Sequence, residues 1–335
     1  MPDTDEHIRF DDLVAAIDRT LQAAGASPEA ASIMARNFAG CERDGALSHG
    51  VFRVPQIVET LNTGYLDGTA EPTAEAVSPT YIRVDAKSGF AQLAIERARP
   101  LALQALEQHG MAVIAIRDSH HHSALWPDLE PFADAGFVAI TAVTAGVPNT
   151  APLGANSPVY GTNPLAYAAP VAGSRPLVVD FATSAMSMGD VTLTANEGRQ
   201  VPEGTGLDSE GQATTDAAKI VAGGSLLPFG GHKGAALSLM VELLASALTG
   251  GDFSVEAAPG KPEGAASTQT GQFLLLIDPN RGGSADFAAR AAQLIGVLRD
   301  AGIERIPADR RYRTRDEAEA RGIPVTPAIR ELLAT

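Results

Sequence analysis

The stretch Leu226-Leu-Pro-Phe-Gly-Gly-His-Lys-Gly234 leads directly into an apolar segment, and the two are expected to form the centre of the molecule. Between residues 235 and 249 the only ionisable residue is Glu242, so the pattern predicts a helix that is apolar on all sides and buried. Pro228 and the three glycines disfavour regular structure before this helix. The sequence therefore predicts a tight loop that enters a buried helix.

This loop has the features of an anion site. Backbone N–H groups at a helix N-terminus, together with the cation Lys233, suit an anion such as a cofactor phosphate. The spacing matches neither the dinucleotide-binding fingerprint nor the Walker sequence, so neither mechanism is inferred. The alternative is a glycine turn that lets the helix pack closely, with His232 and Lys233 solvated.

Composition limits the class of protein. The chain has 335 residues, of which 45% are hydrophobic, enough for two domains or one large domain with insertions. Its 25 basic and 40 acidic residues give a net charge of -15, which disfavours nucleic acid and anionic membranes as partners. Cys41 is the single cysteine, so an internal disulfide and a thiolate zinc site are excluded. With neither a signal-peptide pattern nor a run long enough for a bilayer, a cytoplasmic location is expected.

The periodicity predicts an α/β protein with a helical N-terminal region. Helices are expected over residues 11–24, 28–43 and 51–61, with Ser27 as an N-cap. Strands and helices then alternate. Strands are predicted at 81–84, 111–116, 137–143, 177–184 and 271–278, and helices at 89–109, 126–135 and 284–299. The segments 197–224 and 251–270 are rich in turn-forming residues and are expected to be long loops.

Several polar residues fall at the ends of these elements. Ser48 and His49 lie at a helix junction, where they can face a cleft or where Ser48 can simply cap the next helix. Asp180 and Asp190 are either site residues or turn formers. Arg305, Arg310 and Arg311 form a basic stretch that suits phosphate groups, although an ion-paired solvated face is the ordinary alternative.

Three consecutive histidines, His120 to His122, follow the strand predicted at 111–116. Neighbouring side chains point in different directions, and helical metal ligands are usually four residues apart, so no metal site is predicted. A loop at the carboxyl end of a strand is better placed to line a ligand crevice.

Several of these motifs together resemble one protein family. They are Ser48-His-Gly50 with Arg53, Gly161-Thr-Asn-Pro164, Asp180-Phe-Ala-Thr-Ser184, and the glycine loop followed by Met240-Val-Glu-Leu-Leu244. The chain resembles, over nearly its whole length, the malate and L-lactate dehydrogenase family that lacks a classical Rossmann fold. Within that family, four further stretches look most like the Δ1-piperideine-2-carboxylate/Δ1-pyrroline-2-carboxylate reductases. They are Ser119-His-His121, Ala124-Leu-Trp-Pro-Asp-Leu-Glu-Pro-Phe132, Gly189-Asp-Val191 and Arg305-Ile-Pro-Ala-Asp-Arg-Arg-Tyr312.

The resemblance implies an NADPH-dependent reductase of cyclic imino acids, which forms L-pipecolate or L-proline and acts as a homodimer. It also implies an unusual nicotinamide-binding fold with a mixed sheet. The regions expected are 1–75, a helical part of the substrate and dimerisation domain; 76–285, which contains a discontinuous cofactor-binding domain; and 286–335, C-terminal helices that contact the cofactor. Lysine, proline and hydroxyproline breakdown all stay open as the pathway.

Site residues follow from the resemblance position by position. The catalytic set is Ser48, His49 and Asp190, with His49 as proton donor and the other two as its relay. The substrate-binding positions are Arg53, Thr162, Met188 and Gly189. The cofactor-binding positions are His120, His121, His122, Ser123, Ala124, Asp180, Phe181, Ala182, His232, Lys233, Arg305, Ile306, Pro307, Ala308, Asp309, Arg310 and Arg311. Met188 departs from the pattern, since close relatives carry His there, and His122 stands where they carry an aromatic residue.

The chemistry suits these residue types. Reduction of a ring C=N bond needs a proton on nitrogen, and histidine is an acid with a pKa near neutrality. A planar arginine can hold the substrate carboxylate through two hydrogen bonds. The carboxylate of Asp190 favours an iminium, whereas 2-hydroxy-acid dehydrogenases of the family tend to carry Lys there. The alternatives are such a dehydrogenase, acting on malate, lactate, sulfolactate or ureidoglycolate, and a non-enzymatic binding protein with structural histidines.

Overall fold

The computed structural model describes residues 6–155, 157–282 and 286–334. The strands in these residues are β1 His7–Ile8, β2 Thr73–Ser78, β3 Tyr81–Phe90, β4 Met111–His120, β5 Val138–Val143, β6 Leu165–Ala169, β7 Leu177–Phe181, β8 Gly206–Leu207, β9 Ala213–Thr214, β10 Ser225–Leu226, β11 Thr270–Ile277 and β12 Ile323–Pro324.

The α-helices are α1 Phe10–Ala23, α2 Pro28–Arg43, α3 Val54–Asn62, α4 Ala91–His109, α5 Trp126–Asp134, α6 Met188–Asn196, α7 Ala217–Val221, α8 His232–Glu242, α9 Ser254–Ala257, α10 Phe287–Asp300, α11 Asp309–Arg321 and α12 Pro327–Ala334. Short 3-10 turns occur at Leu47–His49, Val51–Arg53 and Ala258–Gly260, and Leu243–Ala247 continues α8 as a π-helix.

A mixed seven-stranded sheet forms the centre of the described residues, with strand order β2-β3-β4-β11-β5-β6-β7. β3 and β4 are parallel and the other neighbours are antiparallel. The main core lies between this sheet and helices α4 and α5, where Phe132 and Leu106 are fully buried. The mixed sheet confirms the fold class expected from the sequence.

Helix α8 and its π-helical continuation cover the opposite face of the sheet. Along β5, Val143 packs in the main core, whereas Ala142 packs with Val241 and Ala245. Successive strand residues point to opposite faces. The helix therefore lies across the face that α4 and α5 leave open.

A second core joins the two ends of the chain. Helices α1, α2 and α3 pack with residues from the C-terminal region, including Ile323, Val325 and Ile329. The N-cap prediction is confirmed, since Ser27 Oγ accepts a hydrogen bond from Ala30 N at 3.3 Å. This helical layer carries the turn that contains Ser48 and His49.

Four expectations from the sequence need correction. The central helix is not buried on all sides, because Leu239 and Leu243 are about half exposed at 48% and 51%. Residues 197–224 are not one loop but contain α7 and two-residue strands, which are too short to leave a periodic pattern. β4 continues to His120, so the histidines lie at a strand end rather than wholly in a loop. Helix α10, which was predicted at 284–299, begins at Phe287, and its predicted start at Ser284 lies outside the described residues.

No helix in the described ranges has both the length and the apolar composition that a membrane span requires.

Candidate active site

The buried carboxyl group of Glu42 holds the turn that carries Ser48 and His49. Glu42, in α2, accepts a hydrogen bond from Val51 N at 3.0 Å through Oε2. Its other oxygen lies 3.2 Å from the hydroxyl of Thr326, which precedes the C-terminal helix. Burial raises the pKa of the Glu42 carboxyl. A side chain at Gly50 would collide with this carboxyl, so the glycine is needed where the turn approaches α2.

His49 is held in one orientation by its neighbour. Ser48 Oγ lies 2.9 Å from His49 Nδ1, which leaves Nε2 as the ring nitrogen free to meet a ligand. Burial, and then the charge of Arg53, lowers the pKa of His49 to about 3, while the charge of Asp190 acts in the opposite direction. The imidazole is therefore neutral at neutral pH before any anion binds.

Asp190 lies at the start of α6, where Ser187 caps the helix by accepting from Asp190 N at 3.0 Å. Its carboxylate is exposed and is close enough to influence both His49 and Arg53 electrostatically. Among the described residues it forms no side-chain hydrogen bond with His49. The contact within the expected relay that the structure shows is therefore the one between Ser48 and His49.

Arg53 is a mostly buried cation, and no carboxylate of the described residues forms an ion pair with it. Its Nε donates to Ser48 O at 2.7 Å and its Nη1 donates to Gln56 Oε1 at 3.0 Å. Burial lowers the pKa of Arg53 to about 10, so the guanidinium stays charged at neutral pH. Because a buried charge is costly without a partner, this arginine is suited to an incoming anion.

His122 and Gly189 border this guanidinium. His122 Nε2 lies 2.6 Å from Gln56 Oε1, and burial lowers the pKa of His122 well below its ordinary value. A Cβ at residue 189 would come within 2.8 Å of Arg53 Nη2. The neutral histidine and the bare glycine leave one edge of Arg53 open to the cavity.

Two cavities meet beside His49. The larger, of about 970 Å³, is lined by Ser48, Trp126, Asp180, Asp190 and Arg311 among others. The smaller, of about 420 Å³, is lined by Arg53, His122, Met188 and Gly189 among others. Five residues line both, namely His49, Ser123, Thr162, Pro164 and Ser187. A reaction between a large and a small ligand would therefore take place beside His49 and Thr162.

The larger cavity contains groups that suit a nucleotide. Asp180 Oδ2 accepts hydrogen bonds from Leu125 N at 2.9 Å and Trp126 N at 3.0 Å, at the start of α5. Burial raises the pKa of Asp180. The guanidinium of Arg311 stacks on the Trp126 ring at 4.5 Å, and its Nε and Nη2 are buried without a partner in the described residues. A buried cation with unsatisfied nitrogens is costly, so the guanidinium of Arg311 is suited to pair with an anionic ligand.

The residues that were expected to bind the cofactor lie in different parts of the structure. Ser123, Ala124, Asp180, Phe181, Ala182, Arg310 and Arg311 line the larger cavity. His121 and His122 face the smaller cavity, and His121 also contacts Asp128 at 2.8 Å. His120 points elsewhere, to Ser267 Oγ at 2.9 Å and Tyr65 O at 3.1 Å.

The remaining residues that were expected to bind the cofactor line neither of the two cavities. His232 and Lys233 are exposed in the first turn of α8, three and four residues after Phe229, which lines the larger cavity. Arg305 and Asp309 line a separate surface pocket with Arg175 and Arg313. Ile306 is buried, Pro307 is exposed, and Ala308 adopts a positive φ of 76° before α11. Their roles stay predictions.

Sequence reasoning missed Gln56 and Glu42. Gln56 follows Arg53 by three residues at the start of a helix, a spacing that brings two side chains together and could have indicated the contact. Glu42 gives no such signal, because it meets Val51 only through the fold.

Comparison with known proteins agrees with this geometry. A family model described as malate/L-lactate dehydrogenase matches residues 8–334. The chain is 47% identical to a Δ1-pyrroline-2-carboxylate/Δ1-piperideine-2-carboxylate reductase of Pseudomonas putida, over 97% of this chain and 96% of that protein. It is also 47% identical to the enzyme of that name from Pseudomonas syringae pv. tomato, over 97% and 95%. The crystal structure of Δ1-piperideine-2-carboxylate reductase from the latter organism superposes with a TM-score of 0.95 at 46% identity, over 98% of each chain.

Proposed function

The chain belongs to the malate/L-lactate dehydrogenase family, and we propose that it reduces the C=N bond of cyclic 2-imino acids with NADPH. The substrates proposed are those in the names of its relatives, Δ1-pyrroline-2-carboxylate and Δ1-piperideine-2-carboxylate. Their reduction gives L-proline and L-pipecolate. A hydride is added to the ring carbon next to the carboxylate, and a proton is added to the ring nitrogen.

The observation that supports this proposal is the guanidinium of Arg53, which forms no ion pair within the described residues and lines the same cavity as His49. Arg53 offers a planar edge to a carboxylate in the smaller cavity. In a 2-imino acid, the reacting C=N bond is attached directly to that carboxylate. An acid bound to Arg53 therefore has its reacting bond near His49 and Thr162, which line both cavities.

His49 is proposed to place a proton at the ring nitrogen from Nε2, while the Ser48 hydroxyl holds Nδ1. Burial, and then the charge of Arg53, lowers the pKa of His49, so a substrate carboxylate that neutralises Arg53 reverses part of this lowering. Asp190 supports the cationic form of the imidazole through its charge. Substrate binding and formation of the acid are therefore coupled.

The two nitrogens of Arg311 that lack a partner in the described residues support a nicotinamide coenzyme in the larger cavity. Arg311 and Arg310 would meet phosphate groups, and Asp180 with Phe181 would contact the remainder of the nucleotide. When bound, the coenzyme supplies the hydride.

Truncation of the cavity arginines should change coenzyme choice. Arg310→Gln and Arg311→Gln are expected to raise the Kd for NADPH about tenfold or more while the Kd for NADH changes little, the usual scale for a lost charge-assisted hydrogen bond. Fluorescence titration of both reduced coenzymes measures this. Arg313→Gln, at the separate surface pocket, is the matched control, and Arg305→Gln in the same series tests the role predicted for that residue. An equal loss for both coenzymes would reject the assignment of these arginines to the extra phosphate.

A homodimer is part of the proposal. Leu239, Leu243 and Leu248 are 48%, 51% and 44% exposed on the outer face of α8 and its continuation. Such an apolar stripe is usually covered in an assembly, and a symmetric pair would bury the same stripe on both copies.

A cytoplasmic location is also part of the proposal. Cys41 is a buried free thiol, which is typical of proteins in a reducing compartment.

Leu243→Glu is expected to convert the dimer to a monomer, because each copy would bring an uncompensated charge to the interface. Light scattering after size-exclusion chromatography measures the mass. Leu294→Glu places the same charge on another exposed apolar position, in α10, and is the control. If Leu243→Glu stays dimeric, the interface lies elsewhere.

A substrate panel tests the function itself. With NADPH and NADH, the two ring imines are compared with pyruvate, oxaloacetate and a simple amine plus pyruvate. Preferential reduction of the ring imines supports the proposal, whereas preference for the 2-oxo acids would identify a 2-hydroxy-acid dehydrogenase instead.

The same substrate panel tests Asp190→Lys. This variant should reduce ring imines more slowly and 2-oxo acids faster if the charge at position 190 selects the iminium.

A further inference from the structure

Glu242 is a buried acid that the proposed reaction does not use. It is 4% exposed, on the inner face of α8. Its Oε1 accepts from Asn163 Nδ2 at 2.8 Å and Ser254 Oγ at 2.6 Å, and its Oε2 accepts from Ser254 N at 3.1 Å. A carboxyl group in an apolar helix costs free energy unless such partners satisfy it. The hydrogen-bond partners of Glu242, Asn163 and Ser254, therefore indicate its role.

Both partners hold the loop formed by residues 161–164. Ser254 Oγ accepts from Gly161 N at 3.1 Å, so Ser254 links the start of this loop to Glu242. Asn163 adopts a positive φ of 41°, a conformation that a non-glycine residue rarely takes without support. Its side chain supplies that support by donating both to Glu242 and to Ser238 O at 3.2 Å. Thr162 is thus fixed on both sides.

Helix α8 is also connected to the loop of residues 161–164 through Thr183. Thr183 Oγ1 lies 3.1 Å from Thr162 O and 2.9 Å from Asn163 O. Ser238, one turn before Glu242 on the same helix face, lies 2.8 Å from Thr183 through its hydroxyl. Thr183 follows the segment that lines the larger cavity at Asp180. The buried face of α8 therefore ties together backbone segments from both cavities.

We propose that Glu242 is a positioning residue for Thr162, acting through Asn163 and Ser254, and that it sets the affinity for the imino acid. The inference rests on the proposed function, because it assigns Thr162 to substrate binding. Glu242 lines neither cavity, so it acts only through the loop. Glutamine keeps its shape but has one acceptor oxygen, and its amide would oppose either the Ser254 N–H or the donors at Oε1.

The test is a double-mutant cycle with Glu242→Gln and Thr162→Val. Glu242→Gln is expected to raise the KM for the imino acid about tenfold, with kcat and the coenzyme Kd changed less than about twofold, since residues in one network couple by such amounts. If Glu242 acts through Thr162, the double variant has a KM close to that of Thr162→Val alone. Additive effects, or a KM unchanged by Glu242→Gln, would overturn the proposal.

Two further variants separate positioning from folding. Thr249→Val removes a buried hydroxyl that donates to Ala245 O at 2.7 Å in the turn after the π-helix, and it should lower the thermal midpoint without raising KM. Ser254→Ala breaks the link between Glu242 and Gly161, and it should raise KM with the same coupling to Thr162. It provides the test if Glu242→Gln does not fold, and an additive result for Ser254→Ala would again reject the inference.

The outcome is distinguishable from failure of the proposed function. The cycle is measured with the 2-imino or 2-oxo acid that the wild-type protein reduces best, because both classes present the carboxylate beside the reacting carbon. A wild-type protein that reduces 2-oxo acids but not ring imines rejects the proposed substrate and still tests Glu242. A protein that reduces ring imines without coupling between Glu242 and Thr162 rejects only the positioning role.

Discussion

Replacement of Arg53 is expected to raise the KM for the ring imino acid about 100-fold or more. Two charge-assisted hydrogen bonds to the substrate carboxylate contribute about 1.5 to 3 kcal/mol each, and each 1.4 kcal/mol corresponds to about a factor of ten. Arg53→Leu removes the charge, and it also leaves Ser48 O without its side-chain donor, whereas Gln56 Oε1 keeps its contact with His122 Nε2. Steady-state kinetics with saturating NADPH measures KM and kcat.

Arg53→Lys is the informative companion variant. Lysine keeps the charge, but it cannot hold Ser48 O and Gln56 while also presenting a planar pair of donors to the carboxylate. We therefore expect it to recover little of the affinity. A lysine variant with a wild-type KM would show that charge alone suffices, and an unchanged KM in Arg53→Leu would remove the carboxylate anchor from the mechanism. Coenzyme affinity should stay the same in both variants, since Arg53 lines only the smaller cavity.

The sequence predicted those elements whose signals are local. The first two helices followed from Ser27, Pro28 and an apolar period, and the structure places their ends within one residue of the prediction, whereas the third begins at Val54, three residues later than predicted. The strands at 138–143 and 270–277 followed from short apolar runs. Strand order could not be predicted in this way, because it depends on which distant runs pair.

The amino-acid composition of α8 does not predict which of its faces is exposed. Leu239 and Leu243 are as apolar as the buried Val241, so the sequence cannot tell which side of the helix the chain itself covers. The polar residues on the inner face, Ser238 and Glu242, would have suggested the opposite assignment. They are buried because Thr183, Asn163 and Ser254 form hydrogen bonds with them, and two of these partners, Thr183 and Asn163, are 55 and 79 residues away in the sequence.

For the site, the motifs indicated Ser48, His49 and Arg53, and the structure brings these three together. The three consecutive histidines illustrate why the remainder could not be resolved. Their side chains point to Ser267, Asp128 and Gln56 respectively, since neighbours on a chain face different directions. A contiguous motif therefore does not imply one shared ligand.

Replacement of His49 is expected to have the largest effect of all. His49→Ala should lower kcat by about two to four orders of magnitude, the range for loss of a general acid. The fall should appear in kcat with little change in coenzyme Kd, because the imidazole is proposed to act on the substrate nitrogen. Single-turnover kinetics with NADPH measures the chemical step directly. Ser48→Ala should cause a smaller loss, since it removes only the group that orients Nδ1.

The pH dependence gives an independent check on the same residue. The acid must be protonated, so kcat should be highest below its pKa in the complex and should fall as the pH rises through that value. Burial and the charge of Arg53 lower the pKa of His49 to about 3 in the free protein, and a bound carboxylate raises it. His49→Ala should abolish this limb of the kcat profile. A variant that retains the limb would show that another group supplies the proton.

The depressed pKa also has a consequence for stability. The pKa of His49 is about 3 in the folded protein, below the ordinary value of 6.5, so between these values the unfolded chain binds more protons. The free energy of unfolding that depends on neutral His49 is complete above about pH 6.5 and is lost as the pH falls toward 3. His49→Ala should therefore be less sensitive to acid than the wild-type protein in urea titrations from pH 7 to 4. If both proteins lose stability equally, His49 is not the buried neutral base that its surroundings indicate, and the coupling between Arg53, the substrate carboxylate and the proton fails with it.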